Sequence, residues 1–403
     1  MSIELEQAID LIKKHMSPST DVEMVDIENL HGRICAKDIK SSIATPPFNR
    51  SPLDGYALRA ADTVGANEDT PVVITVIEDI VAGQWWSKTV TEGTAVRLTT
   101  GAPIPDGADC VIRQEDTNEG TDNVEVYAEL SPYQNFCRAG EDIPAGEILV
   151  KEGECLSYVH AGVLAGAGLS NVMVYRKPKV VIIGTGDELW LPEAGKLPAG
   201  KIYSSNHAIL GARLKNFGAD VVEVRFAGDN INVIVSKIIE VSKKADLIIT
   251  TGGVSVGCKD VVPDVMCKLE AEVIFHGVNL KPGTPAMFSI YKGLPVLSLS
   301  GNPFAAVTTL ELLARPALAV LAQNKRLNID HIKVALENEF PKASPGRRFI
   351  VGIYDDSGHV LIPDGSHTSG ALGNMRGCNC LIDIPAGTGK LQAGDIVRVV
   401  RLF

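Results

Sequence analysis

A chain of 403 residues is too long for a single hydrophobic core, so several domains are expected. Hydrophobic residues make up 45% and charged residues 22%, the balance of a folded globular protein. A formal net charge of -11 excludes the basic footprint of a non-specific nucleic-acid binder.

The N-terminus, "MSIELEQAIDLIKKHM", spaces Leu5, Ala8, Ile9, Ile12 and Met16 as one face of a helix, with carboxylates between them. A signal peptide would have a basic start and an unbroken apolar stretch, so a cytoplasmic location is expected. No apolar run reads as long enough to span a bilayer. Residues 46–148 are β-rich, with short runs such as "PVVITVIEDIVAG", "AVRLTTGAPIP" and "DCVIRQED" separated by Gly, Pro and Asp. "SYVHAGVLAGAG" is small and apolar at helical spacing, and the basic connector "YRKPKV" follows it.

From Val180 to Leu321 apolar strands alternate with helices, the pattern of a parallel sheet covered on both faces. Such a sheet gathers its loops at the carboxyl ends of the strands, so Gly184, Gly228, Gly252 and Gly301 are expected near one another. After "NKRLN" the pattern returns to β, with "YDDSGH" as a hairpin turn and a small all-β domain at the end. The eight cysteines are scattered without a CxxC pair, which favours reduced thiols over a zinc site or a disulfide framework.

The stretch "DLIITTGGVSVGCKD" carries the chemistry that stands out. Gly252, Gly253 and Gly257, with Ser255 among them, free backbone N–H groups to face an anion, and the following helix N-terminus favours one. Asp260 at its end would repel that anion unless a cation lies between them, and carboxylate with phosphate is a common setting for Mg²⁺. The alternative is a helix-capping aspartate after a tight turn.

"GTGDEL" adds Asp187 and Glu188, and "AGDN" adds Asp229, so three strand ends deliver acids to one rim. "NLKPGTPAMF" supplies Lys281, either a phosphate partner or a solvated turn residue. "SLSGNPFAAV" places Gly301 and Asn302 before a proline-started helix, a junction that is also explicable as structure alone. In the β-rich part, "PPFNRSPLDGYA" offers Ser51, Asp54 and Tyr56, "TTGAPIPDGAD" offers Thr100 and Asp109, and "CRAGEDIPAGE" offers Arg138, Glu141 and Asp142. Each also reads as a turn or a surface ion pair. The dinucleotide fingerprint and a Walker lysine are both absent.

In this order, "SPLDGYA", "TGAPIPDGAD", "AGEDIPAG", "GTGDEL", "TTGGVSVGCKD", "LKPGTP" and "SGNP" resemble the molybdopterin molybdotransferase family, to which the C-terminal part of gephyrin is related. The resemblance spans essentially the whole chain. It implies a discontinuous helical domain from residues 1–45 and 149–177, an inserted β-rich domain over 46–148, an α/β pterin-binding domain over 178–325 with a three-layer, mostly parallel sheet, and a C-terminal β-barrel-like domain over 326–403.

It further implies a reaction: adenylylated molybdopterin and molybdate give molybdenum cofactor and AMP with Mg²⁺ assisting, in an elongated homodimer. Glu188, Asp229 and Asp260 then look like the Mg²⁺ group, and Ser255 with its glycines like the phosphate loop. Lys281 looks like a basic contact, Gly301 and Asn302 like further pterin contacts, and Ser369 like the C-terminal domain's contribution. Asp54, Thr100 and Asp142 would come from the partner subunit. The pterin-adenylylating enzyme and recipient molybdoenzymes are the expected partners, with neither nucleic acid nor membrane.

Departures from the usual pattern are Ser51-Pro52-Leu53-Asp54-Gly55, Thr284 in place of a second lysine, Cys137 in place of an arginine, and "FHGVNL" without its usual basic residue. They lead to the expectation of a less basic pocket. Two other functions remain open from sequence: a nucleotide-pyrophosphate hydrolase, and a non-catalytic pterin-binding scaffold on the same fold.

Overall fold

The computed structural model describes residues 2–255, 261–355, 357–365 and 368–402. Its largest sheet has six strands in the spatial order Asp220–Ala227, Lys179–Thr185, Leu247–Thr251, Leu294–Leu299, Met287–Tyr291 and Glu272–His276. The first four are parallel, and the last two extend the sheet as antiparallel neighbours.

Side chains alternate between two covered faces, as the period of a strand requires. Val180, Ile182, Ile249 and Leu297 join one core, whereas Val181, Ile183, Ile248 and Val296 join the other. All five residues of Leu247–Thr251 are buried. Helices Asn206–Asn216 and Pro303–Thr309 cover the first face, and Ile231–Val241 with Val262–Lys268 cover the second. The fold is therefore a multidomain α/β assembly with three layers at its centre.

The helix that begins at Pro303 continues through a π-helical turn, Leu310–Ala314, into Arg315–Leu321. By length and composition Pro303–Leu321 is apolar enough to cross a membrane, which the sequence reading had not expected, but 89% of its apolar window is buried inside the protein. Its interruption by Glu311 and Arg315 hid it from inspection of apolar runs. Glu311, 1% exposed, is held by Arg213 at 2.5 Å and Arg315 at 3.5 Å. Burial nevertheless pushes its carboxyl above the usual range.

The amphipathic N-terminal helix, Leu5–His15, buries Leu5, Ala8 and Ile12 in the same core as Leu318 and Leu321. Only the other helix of the expected helical unit, Tyr158–Gly166, lies with residues 22–45 and 148–175. There it joins two strand pairs, Val22–Asp26 with Asn171–Tyr175 and Ile39–Lys40 with Ile148–Val150.

The intervening segment forms a five-stranded sheet ordered Cys110–Arg113, Gly55–Leu58, Thr94–Leu98, Val72–Ile80 and Asn123–Val126. Gly55 is obligatory there, because a Cβ would sit 1.9 Å from the Ile112 carbonyl oxygen. Tyr56 is fully buried and donates to the Gly120 carbonyl at 3.1 Å, so this part of "SPLDGYA" is structural.

The C-terminal strands His331–Leu336, Arg348–Tyr354, His359–Leu361, Cys380–Ile384 and Ile396–Arg401 close into a barrel. It docks on the α/β sheet through backbone bonds. Lys281 N–H donates to Arg347 and Phe349 N–H donates to Lys281, at 2.9 and 2.7 Å.

Candidate functional site at the sheet rim

The four parallel strands end at a cleft of about 410 Å³. Leu247–Thr251 leaves the sheet through Gly252 and Gly253, both at positive φ (94° and 59°), a conformation glycine adopts at little cost. The Gly252 N–H donates to Leu299 at 3.1 Å, and a Cβ on Gly301 would lie 3.3 Å from the Gly252 Cα. The two glycine loops thus meet backbone to backbone, as their shared position at adjacent strand ends requires.

Glycines also make room for the acids. A Cβ on Gly186 would stand 2.6 Å from a Glu188 carboxylate oxygen, and one on Gly228 would stand 2.2 Å from Asp187 Oδ1. Asp187 and Asp229 cross-link their loops, each backbone N–H donating to the other's carboxylate, at 3.4 and 3.2 Å. Glu188 and Asp229 both line the cleft, together with Gly252, Gly253, Ser255, Gly301 and Asn302.

A second cavity of about 690 Å³ opens beside it, between the sheet rim and the barrel. Ser255, Ser300 and Asn302 line both, so the two form one trough. Lys281 and Ser369 line the second part, as do Lys342 and Arg348 from the barrel. Asn302 donates its amide N–H to Ser369 Oγ at 3.1 Å, and Phe304 N–H donates to the Ser369 carbonyl at 3.0 Å. Ser369 therefore fastens the barrel to the start of the long helix at the point where the two cavities join.

One end of the trough is acidic and the other basic. Among the described residues, Glu188, Asp229, Lys281, Lys342 and Arg348 take part in no ion pair, so their charges are available to a ligand. Arg347, one residue before Arg348, points the opposite way: it holds the fully buried Asp383 at 2.9 Å and reaches Glu6 at 2.7 Å. Lys342 and Arg348 were missed from sequence, since nothing in "PKASPGRRF" marks one arginine as structural and the next as exposed to a cavity. Their presence supplies charge at the end expected to be poor in it.

Gly257 and Asp260 lie outside the described residues. Among those described, no group of three His, Cys, Asp or Glu side chains is close enough to hold a metal ion by itself. Asp54, Thr100 and Asp142 do not line the trough and sit on the β-rich segment. There Asp54 accepts two bonds from Thr100, from its backbone N–H at 2.6 Å and its hydroxyl at 2.8 Å. These hold its carboxyl below the usual range. Asp142 is exposed, and its N–H donates to Thr45 at 3.1 Å.

The architecture and trough define a multidomain α/β protein with its binding cleft at the carboxyl edge of a parallel sheet, where such folds take their ligands. Three family profiles match in order: the MoeA N-terminal region (domain I and II) over residues 3–168, a probable molybdopterin binding domain over 181–320, and the MoeA C-terminal region (domain IV) over 333–402. The chain is 37% identical to a molybdopterin molybdenumtransferase of Staphylococcus epidermidis, covering 99% of this chain and 97% of that one. It is 33% identical to the enzyme of the same name from Staphylococcus aureus, over 99% and 95%. The crystal structure of the molybdopterin biosynthesis MoeA protein from Pyrococcus horikoshii OT3 superposes with a TM-score of 0.83 at 28% identity, covering 100% of both chains. This chain belongs to the molybdopterin molybdenumtransferase, or MoeA, family.

Proposed function

We propose that this protein takes adenylylated molybdopterin and molybdate, releases AMP, and leaves molybdenum on the pterin dithiolene. The observation that carries this reading is the two-ended trough. A ligand that needs a divalent ion at one end and an oxyanion at the other fits a rim with Glu188 and Asp229 at one side and Lys281, Lys342 and Arg348 at the other.

Mg²⁺ fits the acidic end as an ion shared with substrate. Two carboxylates face the cleft, and Mg²⁺ is commonly held by one or two carboxylates plus phosphate oxygens. Bound there, it would offset charge on the phosphoanhydride. Gly252, Gly253 and Ser255 would hold the pterin phosphate through backbone N–H groups. The three cations would hold molybdate through charge-assisted bonds, with Arg348 offering the planar fork that suits an oxyanion. None of the described cysteines lines the trough, and burial raises the thiol pKa of Cys35, Cys110, Cys378 and Cys380, in Cys110 and Cys380 to about 12.

The working form would be a homodimer. Asp54 and Thr100 stand on a segment that contributes nothing to this chain's own trough, so a site that uses them would take them from a second copy. Helix Tyr158–Gly166 offers a surface for that copy: Tyr158 is 79% exposed and Val159 54%, with Gly162, Ala165 and Gly166 open beside them. Small residues there allow close helix approach.

The test is incubation with adenylylated molybdopterin, Mg²⁺ and either molybdate or tungstate. Molybdate-dependent AMP release with metal recovered on the pterin is expected. AMP release that needs no oxyanion and yields no cofactor would favour pyrophosphate hydrolysis.

A further inference from the structure

The β-rich segment carries an aromatic pair that neither the trough nor the core uses. Trp85 is 73% exposed, and its ring meets Phe48 edge to face, with centroids 6.3 Å apart at 73°. The adjacent Trp86 has another role, packed against the cluster of Ile80, Val90 and Leu98. Of two consecutive tryptophans, one completes a core and the other is held out in water.

Its support is specific. Gln84 closes the turn before it, donating its N–H to Val81 at 3.1 Å and accepting from Val81 N–H at 3.3 Å. Ala82 N–H donates to Thr99 Oγ1 at 3.0 Å, which ties this loop to the residue before Thr100. On the other side, Asn49 fixes the chain after Phe48, accepting from Ile104 N–H at 2.8 Å and from Ala139 N–H at 3.0 Å. Ser51 then pairs with Gly101 and Ala102 at 2.8 and 2.9 Å. The ring pair and the Asp54–Thr100 pair therefore hang from the same two backbone segments, residues 48–54 and 82–101.

The surroundings decide what such a ring could receive. Of the exposed residues flanking Trp85 in sequence, Gln84, Ser87 and Lys88 are polar and Val81, 43% exposed, is the one large apolar side chain, short of the continuous apolar centre of a protein interface. A single flat ring, braced from below and flanked by polar groups, suits a planar heterocycle.

We infer that Trp85, braced by Phe48, is the stacking platform for the purine ring of the adenylylated substrate. It would be presented to the trough by the same partner segment that brings Asp54. The inference rests on the reading given under Proposed function, and it assigns nucleotide recognition to a different domain, and a different subunit, from pterin recognition.

The experiment compares the parent with Trp85→Ala and Trp85→Phe in molybdate-dependent AMP release, with AMP affinity measured by isothermal titration, the AMP-induced quench read by tryptophan fluorescence, and assembly followed by sedimentation. For Trp85→Ala the expected result is KM for the adenylylated substrate raised about tenfold, AMP bound about tenfold more weakly, and kcat little changed, as for loss of uniform binding from one stacked base. Trp85→Phe should recover most of the affinity while losing the AMP-induced quench. If Trp85→Ala binds AMP and substrate as the parent does, or if it shifts the oligomeric state instead, the inference is overturned. If the parent releases no AMP with molybdate, the underlying reading fails first, and the two failures are distinct.

Discussion

The two ends of the trough are built in different ways. The acidic end belongs to one unit: Glu188 and Asp229 follow adjacent parallel strands, and Gly186 and Gly228 clear the space for carboxylates. The basic end is assembled across a boundary, with Lys281 from the α/β unit facing Lys342 and Arg348 from the barrel. Topology alone gathers the first set, because parallel strands must end on one side. The second set depends on how the barrel docks, through the bonds of Ser369 and the Lys281 backbone and through Phe349, Leu381 and Val400 in the core shared with the α/β unit. A site made this way draws its positive charge from two units, Lys281 from one and Lys342 with Arg348 from the other.

The comparison breaks most sharply if the acidic end is neutralised. Glu188→Gln and Asp229→Asn should each lower kcat for AMP release about a hundredfold, the scale for removing a preorganised electrostatic group. The Mg²⁺ concentration needed for half-maximal rate should rise, which a magnesium titration would read. Retention of parental rate and magnesium dependence would show that neither acid holds the ion, leaving Asp229 as a link between loops. At the other end, Arg348→Ala should raise KM for molybdate about tenfold, the loss of roughly 1.5 kcal/mol from one charge-assisted bond. Binding of the adenylylated pterin should change little, and isothermal titration separates the two. If instead pterin binding falls and molybdate is unaffected, the assignment of the ends is reversed.

The same contrast explains what was legible in the sequence. Alternating apolar runs announce the sheet, and a parallel sheet puts Glu188, Asp229, Gly252 and Gly301 on one rim, where the structure has them. Two antiparallel strands, Met287–Tyr291 and Glu272–His276, went unread because no helix separates Met287–Tyr291 from Leu294–Leu299, and only a two-residue turn marks it. Helix Leu5–His15 showed its apolar face clearly, but nothing local says which core that face meets. Arg347 and Arg348 differ only in the side of the strand they leave from, so their roles depend on register, which is set by pairing with Cys380–Ile384. Gly55 and Tyr56 lie within a motif that looked functional, yet they are fixed by close packing against Ile112 and Gly120.

The joint between the two ends gives a milder test. Ser369→Ala removes the hydroxyl that accepts from Asn302 but keeps the backbone bond to Phe304. Loss of one such bond is worth about 1 kcal/mol, so a rise of roughly fivefold in KM for both substrates is expected. A change confined to one substrate would mean that Ser369 touches it directly and does not merely hold the barrel.

The smallest effect concerns the acid that stands apart from both ends. Asp54 owes its lowered pKa first to the backbone N–H of Thr100 and then to the Thr100 hydroxyl. Thr100→Val deletes only the second, so the carboxyl should move partway back toward its ordinary value. A depressed carboxylate contributes stability above its unfolded pKa and loses it as pH falls through the folded one, and the same sign applies to activity that needs the anion. The acid limb of kcat/KM, normalised to its own plateau, should therefore shift to higher pH in Thr100→Val. An unshifted limb would mean that the charge on Asp54 does not control turnover, leaving its bonds to Thr100 as a turn-stabilising pair on the β-rich segment.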